Sequence, residues 1–299
     1  MSTSFGAESP ARSLPGRSGE GDGPLPWGRR YLVCPPLHFG VLYEINPWMH
    51  KEIRVDADLA REQWDDMVAN LESAGAVTMA MEPAPGLPDL VFTANAGLVD
   101  GRRFVPARFR HTERRPETKH DLAWFRRSGF EVAEIGAELG VCFEGAGDAL
   151  PFRRGLVAGY RFRSDYVAHT AVGKLLSIPV LSIELIDARF YHLDLTFCPL
   201  DGRRAIVAPH AWDRYGRAAL QRLVPEPLVL ELDEALTFCA NSVVIDKTII
   251  MPACPPRVGR ILESWGFEVC VSPVGEFLKA GGGVRCLTLA LDVNLDERS

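Results

Sequence analysis

The 299-residue chain has no uninterrupted apolar run of 18 residues, which excludes the usual signature of a membrane-spanning helix. It has no CxxC pair. Its seven cysteines are odd in number and scattered, so neither a disulfide framework nor a zinc-ribbon spacing is present, and reduced thiols are expected. No HExxH or HxxxH spacing occurs, and no metal centre is expected. Positive charge is in short supply: 33 Lys and Arg stand against 39 Asp and Glu, a net charge of −6. That balance argues against a dedicated nucleic-acid binder. The amino terminus has no continuous apolar core of a secretory signal. A cytoplasmic protein with no membrane partner is the expectation; its oligomeric state is left open, with a homo-oligomer among the possibilities.

What is present begins after a Gly-, Ser- and Pro-rich stretch. Residues 1–26 offer little to bury and are expected to be a disordered tail, leaving 27–299 as one catalytic domain. Within it a weak repeat is legible. Four segments read as apolar strand, tight polar turn, apolar strand, with turns at Asp100-Gly101, near Arg154-Gly155, at Asp201-Gly202 and at Asp246-Lys247. After each hairpin comes a segment of helical periodicity and then a short strand. The helical segments are Lys119–Arg127, Tyr166–Leu176, Ala211–Leu223 and Arg257–Trp265, with a fifth, Ala60–Ala74, after the first apolar run. The run Cys286–Val293 reads as a first strand without a partner, and the run from Tyr31 as a second strand without one. A closed ring in which the two ends complete one module accounts for both.

At one phase of the repeat, just before each hairpin, stand Asn95, Asp148, Asp194, Asn241 and Cys286. In a closed ring these positions converge near the axis, although each residue taken singly also reads as a strand-end cap. Cys286 follows Gly281-Gly282-Gly283-Val284-Arg285, a loop able to bring backbone N–H groups close to an anion, and it is the candidate nucleophile. The other six cysteines lie in or beside apolar strand patterns and read as core. His192, two residues before Asp194, is placed on the same face of an expected strand and is the candidate base. Glu144, in Cys142-Phe143-Glu144-Gly145-Ala146-Gly147-Asp148, could orient it, while Asp148 could bind substrate or hold backbone. Gly101–Arg115 carries six arginines, of which one or two could clamp a substrate carboxylate. Glu82–Pro88 is the expected cover of the site.

Four motifs in this order, Phe92–Asn95 (FTAN), Phe143–Asp148 (FEGAGD), His192–Asp194 (HLD) and Gly281–Leu289 (GGGVRCLTL), resemble the guanidine-modifying enzymes of the pentein superfamily. The resemblance runs from about Tyr31 to the carboxyl terminus. It implies an α/β fold, a five-bladed ββαβ propeller with pseudo-fivefold symmetry, and no metal or organic cofactor. It implies Cys286 as nucleophile, His192 as acid and base and Glu144 as its partner, with Asp194 holding the guanidinium. Arg163, in Gly159–Ser164, matches the family's GxxxR[ST] pattern and would grip an α-carboxylate; Arg114 is a second candidate. Cys34–Met49 resembles the dihydrolase-like branch and brings Asn46 to the site. Many deiminases carry Asp where this chain has Asn95. An amide can donate to a neutral ureido oxygen, which favours arginine dihydrolase action over single deimination. Dimethylargininase and amidinotransferase action use the same machinery, and a catalytically inactive propeller serving as a binding module is the reading from another class.

Overall fold

The computed structural model describes residues 25, 27–136 and 140–295. Apart from Leu25, the expected tail over 1–26 lies outside the described residues.

In chain order the elements are β1 (Arg30–Val33), α1 (Ala57–Ser73) and β2 (Val77–Ala80); β3 (Gly97–Asp100), β4 (Arg103–Pro106), α2 (Glu117–Arg127) and β5 (Glu131–Val132); then β6 (Ala149–Phe152), β7 (Gly155–Tyr160), α3 (Tyr166–Leu176) and β8 (Val180–Glu184). They continue with β9 (Phe197–Pro199), β10 (Arg204–Val207), α4 (Arg214–Leu223) and β11 (Glu226–Val229); α5 (Leu232–Ala235); β12 (Val243–Ile245), β13 (Thr248–Met251), α6 (Pro256–Ser264) and β14 (Glu268–Val271); α7 (Gly275–Leu278); and β15 (Leu289–Ala290). These strands form five three-stranded sheets, each with an antiparallel pair followed by a parallel strand reached through a helix. The fifth sheet joins the two ends of the fold: β15 runs antiparallel to β1, with Tyr31 opposite Ala290, and β1 runs parallel to β2. The fold is the five-module α/β propeller, closed as its repeat implies.

Local chemistry sets the element boundaries. Asp56 caps α1 by accepting from Asp58 N and Leu59 N at 3.1 and 3.0 Å, and the helix buries Ala60, Trp64, Met67 and Leu71 along one face. Asp213 caps α4 through Gly216 N at 2.8 Å, so this helix begins after the expected Ala211, which lies in a 3-10 turn opened by Pro209. The second hairpin turns at Arg153-Arg154, one residue earlier than expected, because Phe152 pairs with Gly155. Arg153 takes the left-handed conformation there (φ 54°), the role Gly101 plays in the first hairpin (φ 58°). Glu231 and Glu234 form a capping box that opens the unexpected α5 and ends β11 early.

A circle of hydrogen bonds ties the five modules at the axis. Ala94 N donates to Cys286 O (3.2 Å), Asn95 Nδ2 to Glu144 O (3.3 Å) and Leu193 N to Asp148 Oδ1 (3.1 Å). Asn241 Nδ2 donates to Asp194 O (3.2 Å), and Cys286 N to Asn241 Oδ1 (3.2 Å), closing the loop. Each polar residue at the recurring phase thus satisfies backbone or side chain of the next module.

Candidate active site

Two expected strands are absent where the chemistry sits. His192 precedes a 3-10 turn over Leu193–Leu195, and the strand begins only at Phe197, so a two-residue alternation does not relate His192 and Asp194. Cys286 lies in a turn, not in a strand. Asn241 O accepts from Arg285 N at 3.1 Å, Asn241 Oδ1 takes Cys286 N, and Leu287 N reaches back to Gly283 O, so the backbone amides are claimed before a ladder can form. Similar 3-10 turns over Thr93–Ala96 and Gly145–Gly147 present Asn95 and Asp148.

Cys286, Asn95, Arg114, Arg163 and Asn46 line one narrow cleft, with Asp89, Phe92, Tyr191, Ala280 and Gly282. Behind this wall, His192, Glu144 and Asp194 are buried. Glu144 Oε2 lies 2.8 Å from His192 Nε2 and accepts from Arg163 Nη1 at 3.0 Å, while its Oε1 accepts from Arg110 N. Burial pushes the Glu144 carboxyl up, but Arg163 and the contact with His192 outweigh it and hold the group below the usual carboxylate range. Burial lowers His192 to about 4 against the pull of Glu144. The pair at neutral pH is therefore carboxylate and neutral imidazole, with the Nε2 hydrogen on Glu144 and Nδ1 left as a base. That nitrogen faces Gly147 and the Asn95 amide, since a Cβ at Gly147 would stand 3.5 Å from it and 2.2 Å from Asn95 Nδ2.

Cys286 Sγ donates to Asp194 Oδ2 at 3.3 Å and accepts from Asn241 Nδ2 at 3.1 Å. Among the described residues no hydrogen bond joins Cys286 to His192; the Tyr191 ring lies tilted against His192, with centroids 4.8 Å apart. Burial and the neighbouring Asp194 raise the Cys286 thiol well above its ordinary value. Burial raises Asp194 to about 7, opposed by Cys286 and Arg285, and its Oδ1 has no hydrogen-bond partner. A buried carboxylate oxygen with nothing to accept is an open acceptor beside the sulfur.

The remaining expected residues divide. Arg163 also donates to Ile45 O and lies over the Tyr191 ring at 4.5 Å. Arg114 forms a forked pair with Glu117 at 2.9 and 2.8 Å and donates to Asn95 Oδ1 at 2.9 Å, which fixes which end of the Asn95 amide faces His192. Asn46 donates to Ala280 O at 3.0 Å. Asp148, expected at the substrate, is instead spent on the scaffold: Ser164 N, Ser164 Oγ and Leu193 N satisfy its two oxygens, and it does not line the cleft. The expected cover does not reach the cleft. Asn46 enters the cleft from the irregular segment 34–56, whereas none of Glu82–Pro88 lines it. Of the six other cysteines, Cys34, Cys198 and Cys239 are buried but Cys142, Cys254 and Cys270 are only half-buried. Sequence reasoning missed Asp89, Phe92 and Tyr191 on the wall. Asp89 had a signal: a lone acid inside the apolar run Leu87–Phe92. Its Oδ1 is also unpartnered. No group of three or more His, Cys, Asp or Glu side chains is placed to hold a metal ion among the described residues, and no helix there is long and apolar enough to cross a membrane.

A closed five-module propeller with a cysteine and a carboxylate-paired histidine at its axis defines a class, the pentein fold. No protein-family model matches the chain, but individual relatives do. The chain is 43% identical over 265 residues to the bifunctional arginine dihydrolase/ornithine cyclodeaminase ArgZ of Synechocystis, a match covering 87% of this chain and 37% of ArgZ. It is 35% identical over 266 residues to the N(G),N(G)-dimethylarginine dimethylaminohydrolase of Mycobacterium tuberculosis, covering 89% and 87%. Among solved structures it superposes on the N-terminal domain of ArgZ, a cyanobacterial arginine dihydrolase solved as a cysteine-to-serine mutant bound to substrate. There the TM-score is 0.85 at 41% identity, over 89% of this chain and 99% of that domain. The chain belongs to the pentein family of guanidino-group-modifying enzymes that these proteins represent. It spans a little over a third of the length of the bifunctional relative.

Proposed function

We propose that the protein hydrolyses the guanidino group of arginine twice, yielding ornithine, two ammonia and carbon dioxide, through a covalent adduct on Cys286. The observation that carries this reading is the unpartnered Asp194 Oδ1 beside Cys286 Sγ. A guanidinium offers planar N–H donors to that oxygen and a positive charge to the sulfur, the two things this buried corner lacks.

Without substrate the sulfur is a thiol held by Asp194. A bound guanidinium favours the thiolate, and the thiol proton passes to the vacant Nδ1 of His192. The thiolate adds to the guanidinium carbon, His192 returns the proton to the departing amine, and ammonia leaves a thiouronium. Neutral His192 then takes a proton from water, the hydroxide adds, and the carbon–sulfur bond breaks as the adduct's hydroxyl proton passes to sulfur, giving citrulline and the thiol; the proton on His192 departs with ammonia as ammonium and restores the neutral imidazole. The Glu144 carboxylate stabilises imidazolium at each turn. A second round on the ureido group releases the second ammonia and leaves the carbamate on the ornithine side-chain nitrogen, which loses carbon dioxide to give ornithine. Asn95, an amide where a carboxylate would prefer a cation, suits a neutral second substrate. Arg163 and Arg114 are the cations available on the cleft wall for an α-carboxylate. The small-molecule partner is accordingly a free amino acid, arginine.

The relative from M. tuberculosis makes methylated arginine the second reading. Product analysis separates the two: incubation with arginine yields ornithine and two ammonia per arginine, with citrulline only transient, and Cys286→Ser and His192→Ala abolish it while folding normally. General acid–base help alone is worth roughly 10²- to 10⁴-fold. Citrulline from dimethylarginine, with arginine untouched, would replace the proposal by the second reading.

A further inference from the structure

The residue that shapes the Cys286 turn also touches its sulfur. Asn241 is fully buried, and its orientation is dictated by its surroundings. Oδ1 faces the Cys286 backbone N–H at 3.2 Å, a contact the opposite amide orientation would turn into two opposed donors. Nδ2 must therefore face the other way, where it meets Asp194 O at 3.2 Å and Cys286 Sγ at 3.1 Å. Both amide hydrogens are committed, one of them to the reacting atom. The Gly283 backbone in the same turn also favours the charged form of the sulfur. The room for this arrangement is reserved: a Cβ at Gly283 would stand 2.8 Å from Asn241 Oδ1, so a larger residue there would push the amide aside.

We propose that Asn241 is a further catalytic residue, whose side-chain N–H stabilises the Cys286 thiolate when the thiol ionises and again when sulfur is expelled from each covalent adduct. The inference rests on the reading of Cys286 as nucleophile. A thiolate at this position lies 3.3 Å from a carboxylate in a dry site, where an unpaired negative charge is costly. Asn241 and Gly283 form the sulfur counterpart of an oxyanion hole. The charged and titratable groups around the sulfur are Asp194 in contact with it, Tyr191, Asp89, Arg114 and Arg163 on the cleft wall and Arg285 toward Asp194; substitution of Asn241 removes none of them.

The test is Asn241→Asp, which keeps an oxygen for Cys286 N but turns the donor to sulfur into an acceptor, together with Asn241→Ser, which is neutral and too short to span to the sulfur. Alkylation of the full-length protein by iodoacetamide is followed against pH on the peptide carrying Cys286, because the half-buried cysteines also react. In both variants the alkylation midpoint is expected to rise by about one pH unit or more, a roughly tenfold loss of thiolate near neutrality, with kcat for arginine falling in parallel and KM little changed. A folded variant whose midpoint stays at the wild-type value overturns the proposal, and activity lost without that shift assigns Asn241 to holding the turn. Cys286→Ser, assayed beside them, keeps the two levels apart: full turnover in that variant defeats the nucleophile reading itself.

Discussion

Asp148 and Asp194 occupy the same phase of neighbouring modules, both fully buried and both pushed up by burial, yet they differ in what they hold. Asp148 has three donors from Ser164 and Leu193. Asp194 has the Cys286 thiol on one oxygen and nothing on the other. Position in a repeat therefore brings a residue to the axis but does not assign its work. Hydrogen-bond completion does: the satisfied carboxyl is a tie between modules, the unsatisfied one an acceptor in waiting.

Exchanging the two carboxyls one at a time breaks this contrast if it is wrong. Asp194→Asn should lower kcat/KM for arginine by on the order of 10²-fold or more while leaving the melting temperature at neutral pH unchanged or higher. Asp148→Ala should do the reverse in kind, costing roughly 3 kcal/mol or more of stability by stranding buried donors, read as a drop in the denaturation midpoint. Equal effects on turnover and melting from both substitutions would erase the distinction.

A pH series sharpens it. Burial raises Asp194 from its ordinary 3.8 to about 7, so the folded state retains a proton that the unfolded chain has released between those values. The stability this supplies is complete below about pH 4 and disappears as pH climbs through about 7. Asp194→Asn should thus gain most over wild type above pH 7 and little near pH 4, as measured by thermal melts across that range. The smallest effect belongs to a position far from the axis: Arg153→Gly should stabilise by roughly 0.5 kcal/mol, since Arg153 adopts the left-handed conformation that Gly101 already supplies in the first module.

The ring was legible because Asp-Gly and Asp-Lys turns between apolar runs recur with helical segments between them, and those signals are local. So was the phase of the five axial residues. What the sequence could not convey is how buried polar groups divide their hydrogen bonds. The alternation around His192 reads as strand, but Asp148 takes Leu193 N and Asn241 takes Cys286 N, and the chain coils into turns at both places. Those partners lie 45 residues away in each case, beyond any window of periodicity. For the same reason Asp148 looked like a ligand and Asn241 like a cap. The segment over 34–56 carries no regular element, so nothing in its pattern fixes its path across the cleft. Helices α5 and α7, four residues each, are too short to leave a period.

The pairing of β1 with β15 has a consequence for biogenesis. On the ribosome, β1 is made long before its antiparallel mate β15, and Cys286, the proposed nucleophile, emerges only with that mate. The proposed chemistry and the closure of the ring therefore wait on the same stretch, from Cys286 to Ala290, and a nascent chain stalled before it is an open ring without Cys286.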